Sequence, residues 1–165
     1  MTVDAPLNEI PIFVRGGSII PRRDRVRKSS VLMHGDPYTL IFALDSNGEA
    51  SGNIYIDDGR SFENESGSYS FSTISISNGT IDARNLQYDG TTIDEMKRKQ
   101  TCAKFGGRVE KIVVLGMRNV ELVRRIGKTD DSESTGYEFL VVDGTLVIKD
   151  PKMSVCEQWK FQIEY

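Results

Sequence analysis

The feature that most constrains the fold is a two-residue alternation of apolar and polar side chains at the end of the chain. Residues 159–165 read WKFQIEY. Successive side chains of a β-strand point to opposite faces, so this segment predicts a strand with one buried and one solvated face. The predicted buried face holds Trp159, Phe161, Ile163 and Tyr165, which assigns Trp159 to the core.

Other segments also predict strands. Residues 69–77, YSFSTISIS, alternate as well, but their apolar positions change from odd to even after Phe71, which predicts a bulge near Thr73. Residues 38–44 and 112–115 are continuous apolar runs, as expected for strands that are covered on both faces.

Turn signals separate these runs. Asx-Gly pairs readily adopt the positive φ angles of a tight hairpin, so we expect hairpins at residues 47–48, 78–79 and 143–144. Residues 58–59 and 89–90 are further turn candidates. Strands at this spacing predict an all-β fold, specifically an antiparallel β-sandwich.

One segment suggests a helix. Asp94 could cap a helix within residues 92–103, but this segment has no clean apolar stripe. A loop with a single helical turn explains the segment equally well.

Composition excludes some classes of function. The 165 residues are 38% apolar and 27% charged, with a net charge of −3, which is typical of a soluble globular protein and disfavours nucleic acid as a partner. We expect no membrane association, because no window approaches 18 continuous apolar residues. We also expect no signal peptide in this sequence. Cys102 and Cys156 leave two alternatives open, a disulfide or two thiols.

The first 36 residues fit the sandwich poorly. They hold two short strands interrupted by proline and a basic run, which is too little to close a sheet. We therefore place a domain boundary near residues 35–37. Residues 1–36 are interpreted as the remnant of a neighbouring β-domain and residues 37–165 as the sandwich.

An acidic pair, Asp57-Asp58, stands before Gly59 and invites comparison with the carboxyl pair of a glycosidase. Adjacent strand residues point to opposite faces, so this pair is badly placed to act on one sugar. We interpret both aspartates as turn residues whose side chains accept backbone N–H groups.

Residues 22–28, RRDRVRK, hold five basic side chains. They fit either a patch for phosphate or an acidic partner, or arginines that pair with carboxylates of a neighbouring domain. His34 and Asp36 could supply half of a metal site, but a lone loop histidine is more often a surface residue. Residues 130–134, DDSES, predict a polar loop.

Two Asn-x-Ser/Thr sequons occur in predicted turns. They begin at Asn64 and Asn78, and we name both as candidate N-glycosylation sites. Such tripeptides also occur by chance, so they are compatible with a secretory-pathway protein without requiring one.

Longer segments resemble glycoside hydrolase family 31. Residues 5–30, APLNEIPIFVRGGSIIPRRDRVRKSS, resemble the segment that follows the catalytic barrel in that family. Residues 36–63, DPYTLIFALDSNGEASGNIYIDDGRSFE, resemble its continuation into the last β-domain. The stretches RVEKIVVLG and GTLVIKDPKMSVCEQWKFQIEY resemble the final strands, whereas residues 80–107 and 117–137 match no pattern of the family.

The resemblance implies a fragment of a retaining α-glucosidase that releases glucose from N-linked glycans in the endoplasmic reticulum lumen. No residue matches either catalytic motif of the family's barrel, so we assign no catalytic, cofactor-binding or metal-binding residue and expect no cofactor. The implied partners are the catalytic barrel of the parent chain and a non-catalytic second subunit. The alternative is a stand-alone β-sandwich module that binds carbohydrate or another subunit.

Overall fold

Ten strands and one α-helix form the scaffold of the part of the chain that the computed structural model describes, which is residues 3–86, 94–126 and 137–165. The strands are β1 (Ser18–Arg22), β2 (Tyr38–Ala43), β3 (Ala50–Ile56), β4 (Ser70–Ser77), β5 (Thr80–Leu86), β6 (Arg108–Leu115), β7 (Leu122–Ile126), β8 (Phe139–Val142), β9 (Thr145–Ser154) and β10 (Trp159–Glu164). The α-helix, α1, spans Glu95–Phe105, and two short 3-10 helices span Ser30–Met33 and Glu63–Ser66.

All ten strands belong to one sheet, in the order β7-β10-β5-β4-β3-β1-β2-β6-β9-β8. The β1–β3 and β2–β6 pairs are parallel, and the other described pairs are antiparallel. The sheet curls into a nearly closed barrel or sandwich, which confirms the predicted all-β class.

The inner face of this sheet holds one continuous apolar core. Its fully buried members come from strands that are distant in the sequence, among them Phe42, Ile112, Leu146 and Phe161. Removing each of these large side chains from water contributes about 1.5–3 kcal/mol, which makes this core the main source of stability.

Strand β10 confirms the alternation that was predicted for it. Trp159, Phe161 and Ile163 are buried, and Trp159 retains 4% of its surface. Tyr165 is the exception, since it is 66% exposed. The reason is that pairing ends at Glu164, so Tyr165 lies beyond the strand and has less of the sheet around it.

The predicted bulge near Thr73 is wrong. Strand β4 pairs with β3 without interruption from Ser70 to Ile76, and its inward face simply begins with serines. The inward Ser72 hydroxyl donates to the Val155 carbonyl at 2.7 Å, so this polar group is satisfied in the interior. Phe71 points outward, with its ring 6.3 Å from that of Tyr55.

Two of the three predicted hairpins are confirmed. Residues 78–79 join β4 to β5 with φ values of 49° and 70°, and residues 143–144 join β8 to β9 with 50° and 73°. At residues 47–48 a turn forms, with the Gly48 N–H donating to the Asp45 carbonyl at 3.1 Å. It is not a hairpin, because β1 lies between β2 and β3 in the sheet.

Of the two alternatives that the sequence left open for residues 92–103, the structure shows the helix, and its cap is Asp94. The Asp94 carboxylate accepts the N–H groups of Met96 and Lys97, both at 3.0 Å. The buried side chains of α1 are Arg98 and Thr101, which explains why no apolar stripe was visible in its sequence. Residues 89–90, 92–93 and 130–134, on which other predictions fell, lie outside the described residues.

Strand β1 is the part of the first 36 residues that joins the sheet. It pairs with β2 over its whole length and contacts β3 at Ser18, and Ile19 is 7% exposed. The boundary near residues 35–37 stays a prediction, because a strand that belongs to a neighbouring domain can still pair with this sheet.

Candidate functional site

The acidic pair forms a turn, as predicted. The Asp57 carboxylate accepts the Gly59 N–H at 2.9 Å, and the Asp58 carboxylate accepts the Arg60 and Ser61 N–H groups, both at 3.0 Å. The Ser61 hydroxyl also donates to Asp58 at 2.7 Å. Each aspartate carboxylate therefore accepts hydrogen bonds from the backbone N–H groups that follow it.

The electrostatics of this turn do not favour acid catalysis. Hydrogen bonds from the Ser61 hydroxyl and from backbone N–H groups lower the pKa of Asp58 to about 2. A general acid that protonates a leaving group near neutral pH needs a raised pKa. Asp58 is thus ionised at neutral pH, where it holds the turn and cannot donate a proton.

The basic run is held by carboxylates of this chain. Arg27 forms a two-point pair with Asp36, at 2.6 and 2.9 Å, and its hydrogen bonds hold the pKa of the Asp36 carboxyl below the ordinary range. Arg25 contacts Glu110 of β6 at 3.0 Å and lies 3.7 Å from Asp36. Arg22 pairs with Asp24 of the same run at 2.6 Å, so three of the five basic side chains are occupied in ion pairs within the fold.

Arg23 extends this anchoring to β2 and α1. Its guanidinium donates to the Tyr38 hydroxyl at 2.8 Å and to the Phe105 carbonyl at 2.9 Å, and it lies 4.4 Å from the centre of the Tyr38 ring. We call residues 23–36 the arginine bracket. Sequence reasoning missed this role because the partners lie as many as 82 residues away along the chain.

His34 and Asp36 do not form a metal site. The His34 ring packs edge-on against Phe105, with 5.4 Å between ring centres, while the Asp36 carboxylate serves the arginines. Across residues 3–86, 94–126 and 137–165, no group of three or more His, Cys, Asp or Glu side chains is arranged to hold a metal ion. Nor does this part of the chain contain a helix that is long and apolar enough to span a membrane.

Helix α1 is fastened by a covalent bond and polar contacts. Cys102 forms a disulfide with Cys156, which resolves the alternative that the sequence left open. Arg98 donates to the Cys156 carbonyl, and the Lys97 ammonium donates to the Ser66 carbonyl at 3.1 Å. These contacts compensate for the lack of an apolar face on the helix.

The residues that precede β1 present the opposite situation. Residues 3–17, which we call the N-terminal arm, form no strand, and their large apolar side chains face solvent. Ile10 and Ile12 are 86% and 85% exposed. The exposed apolar set of the arm is Val3, Leu7, Ile10, Ile12, Phe13 and Val14. Several large exposed apolar side chains within one short segment are typical of an interaction site.

One concave feature among the described residues is a groove of about 350 Å³ that is lined by residues of β5, β7 and β10 and by Gln158. Its rim carries the Asp82 carboxylate, which Arg84 and Lys160 neutralise at 2.5 and 3.3 Å. Trp159 lines the groove but is almost fully buried, so it offers no flat aromatic platform for stacking a sugar. This geometry disfavours a stand-alone carbohydrate-binding module.

The two sequon asparagines occupy different settings. Asn64 lies half-buried in the second 3-10 helix, and Asn78 is exposed at the tip of the β4–β5 hairpin. Glycosylation at either position stays a prediction.

Known proteins share both this sequence and this fold, although no family model matches the chain. Neutral α-glucosidase AB of Dictyostelium discoideum is 31% identical over 93% of the chain and 15% of that relative. The glucosidase 2 subunit alpha of Schizosaccharomyces pombe is 32% identical over 92% of the chain and 16% of that relative. The chain thus spans about a sixth of these relatives.

Solved structures agree with the sequence relatives. The crystal structure of a glucosidase II α subunit with bound α3-Glc2 superposes with a TM-score of 0.75 at 30% identity, over 98% of this chain and 18% of that one. An endoplasmic-reticulum glucosidase II complex of the catalytic subunit and the binding domain of the regulatory subunit gives the same values. A family 31 dextranase of Flavobacterium johnsoniae, at 22% identity and a TM-score of 0.64, shares the fold.

These matches cover nearly the whole chain. The chain therefore belongs to glycoside hydrolase family 31 and, within that family, is similar to the α subunit of glucosidase II and to neutral α-glucosidase.

Proposed function

We propose that this chain is the non-catalytic C-terminal β-region of a retaining α-glucosidase that removes α-linked glucose from N-linked glycans. The observation that carries the proposal is the N-terminal arm, whose apolar side chains are exposed in a chain that spans about a sixth of its relatives. In the parent protein, the earlier strands of the neighbouring β-domain cover this arm, and that domain braces the catalytic barrel. The region then stabilises the barrel and contributes no reacting group.

The disulfide supports a lumenal location for the parent. Disulfides persist in the secretory pathway and are rare in the cytosol, where thiols are kept reduced. The Cys102–Cys156 bond therefore fits the endoplasmic reticulum lumen, as do the names of the relatives.

We also propose that the parent works with a β subunit. The support is the solved relative in which a glucosidase II catalytic subunit is bound to a domain of its regulatory subunit. Co-purification of a tagged full-length parent with its lumenal partners tests this assignment. Recovery of the parent alone, with full activity on glycan substrates, would contradict it.

An activity assay tests the catalytic part of the proposal. The purified 165-residue chain is incubated with an aryl α-glucoside, and we expect no hydrolysis, whereas the full-length parent is active. In the parent, Asp58→Ala is expected to leave kcat per folded molecule unchanged, because Asp58 only shapes its turn.

Two outcomes would overturn the proposal. Hydrolysis by the isolated chain that disappears in Asp58→Ala would place chemistry in this region. A loss of about 10²-fold or more in kcat in the fully folded parent variant would be an effect of catalytic size.

A further inference from the structure

The two sequons differ in a way that their sequences do not show. Asn78 has an exposed side chain at the tip of the β4–β5 hairpin. Asn64 is half-buried in the 3-10 helix Glu63–Ser66, where its backbone carbonyl accepts the Gly67 N–H at 3.0 Å. A glycan on Asn78 extends directly into solvent, whereas one on Asn64 has to leave from a half-buried position.

The β4–β5 hairpin also limits when modification can occur. The backbone at Asn78 and Gly79 is fixed at positive φ, and the Thr80 hydroxyl donates to the Gln162 side chain at 2.9 Å. Gly79 is buried so close to β10 that a Cβ there would lie 2.6 Å from the Ile163 carbonyl oxygen. An enzyme that must reach the backbone and hydroxyl of this tripeptide therefore has to act before the hairpin closes.

Chains that carry a glycan on Asn78 and chains that carry one on Asn64 should differ in how readily they fold. A chain with a glycan on Asn78 closes its hairpin normally, because the attachment point faces solvent. A chain with a glycan on Asn64 must place that group at a half-buried position of the 3-10 helix. We therefore expect the folded population to be depleted of the second form.

We propose that Asn78 is the N-glycosylation site of this region and that Asn64 is unmodified in the folded protein. In the transfer, Nδ2 of Asn78 bonds to the anomeric carbon of an oligosaccharide carried on a lipid pyrophosphate. The bond from that carbon to the pyrophosphate oxygen breaks, the lipid pyrophosphate leaves, and the amide gives up one proton. The inference rests on the proposed function only for the cellular compartment in which the glycan is transferred.

Peptide-level mass spectrometry tests the assignment. The full-length protein is expressed in a eukaryotic host behind a secretory signal peptide, and the occupancy of each asparagine is read before and after digestion with a peptide N-glycosidase. Asn78→Asp removes the acceptor and keeps a residue that tolerates the left-handed backbone. Asn64→Asp is the matched control, and Thr80→Ser preserves the sequon.

We expect a glycan at residue 78 in the unaltered protein, in Asn64→Asp and in Thr80→Ser, and none at residue 78 in Asn78→Asp. Unmodified Asn78 in a secreted chain that has formed its Cys102–Cys156 bond overturns the inference, as does a glycan on Asn64 in the folded protein. Because the signal peptide supplies the targeting, these outcomes are independent of the proposed function. Localisation with the native N-terminus and activity of the parent test that function separately.

Discussion

The arginine bracket and the N-terminal arm flank the same strand, β1, yet they meet the rest of the chain in opposite ways. The bracket is polar, and Arg23, Arg25 and Arg27 all find partners within the fold. The arm is apolar, and its isoleucines remain in solvent although Ile19, a few residues later, is buried. The polarity of a segment therefore does not predict whether that segment packs against the rest of the described chain.

The comparison shows how the two kinds of contact depend on context. Ion pairs and hydrogen bonds need only a partner atom at the right distance. The bracket finds such partners in β2, β6 and α1 and in its own Asp36. Burial of an apolar side chain requires a surface that surrounds it. The arm lies outside the sheet and obtains no such surface from the described residues.

The strongest test of the comparison truncates one isoleucine on each side of the boundary between arm and strand. Ile19→Ala is expected to lower the free energy of unfolding by about 2–5 kcal/mol, as a buried truncation does. Ile10→Ala in the isolated chain is expected to change it by less than about 0.5 kcal/mol. Equal losses in chemical denaturation of both variants would mean that the arm is packed in solution.

The disulfide tests the covalent part of the anchoring. Replacing Cys102 and Cys156 by serine removes a cross-link between residues 54 positions apart. We expect a loss of about 2–4 kcal/mol in the free energy of unfolding, because the unfolded chain regains conformational freedom. Amide hydrogen exchange should show this loss in the sheet amides that exchange only through global unfolding, and a further loss of protection in α1. An unchanged free energy of unfolding would contradict the stabilising role of the disulfide.

A glycine pair tests whether β1 is an integral strand. A Cβ on Gly52 of β3 would lie 2.5 Å from the carbonyl oxygen of Ile19, whereas one on Gly35 would have no neighbour within 4 Å. Gly52→Ala is therefore expected to cost about 1–3 kcal/mol through overpacking, and Gly35→Ala to be nearly neutral. Thermal unfolding of both variants measures these two changes in stability. No difference between them would show that β1 can leave the sheet freely.

Acid titration tests the ion pair of the bracket and has the smallest expected effect. The pKa of Asp36 is lowered mainly by its hydrogen bonds with Arg27, so the charged form is favoured by folding. The stability advantage of the unaltered protein over Asp36→Asn should be complete above the ordinary aspartate pKa of about 3.9. It should disappear as pH falls through the lower pKa of the folded state.

Denaturation midpoints measured from pH 7 to pH 2 provide this comparison. Asp4→Asn, which removes the same charge from the exposed arm, should leave stability at pH 7 unchanged. An advantage that grows as the pH falls would contradict the assigned role of Asp36.

Predictions from local sequence patterns were correct where the residues of a segment determine its structure without distant partners. The alternation of residues 159–163, the hairpins at residues 78–79 and 143–144, and the cap at Asp94 were all predicted. The Asp57-Asp58 turn was predicted for the same reason, since each aspartate bonds within three residues of itself. The failures at Thr73 and Tyr165 arose because burial depends on neighbours from other strands.

The sequence by itself determined the all-β class, the confirmed turns and the family, because these follow from local periodicity, turn chemistry and motifs spaced along the chain. Tertiary structure decided where β1 inserts, which carboxylates hold the arginines, and that Cys102 meets Cys156. It also decided that Ile19 is buried while Ile10 is exposed. The physical reason is that long-range pairing and burial are properties of the assembled sheet, which no single segment encodes.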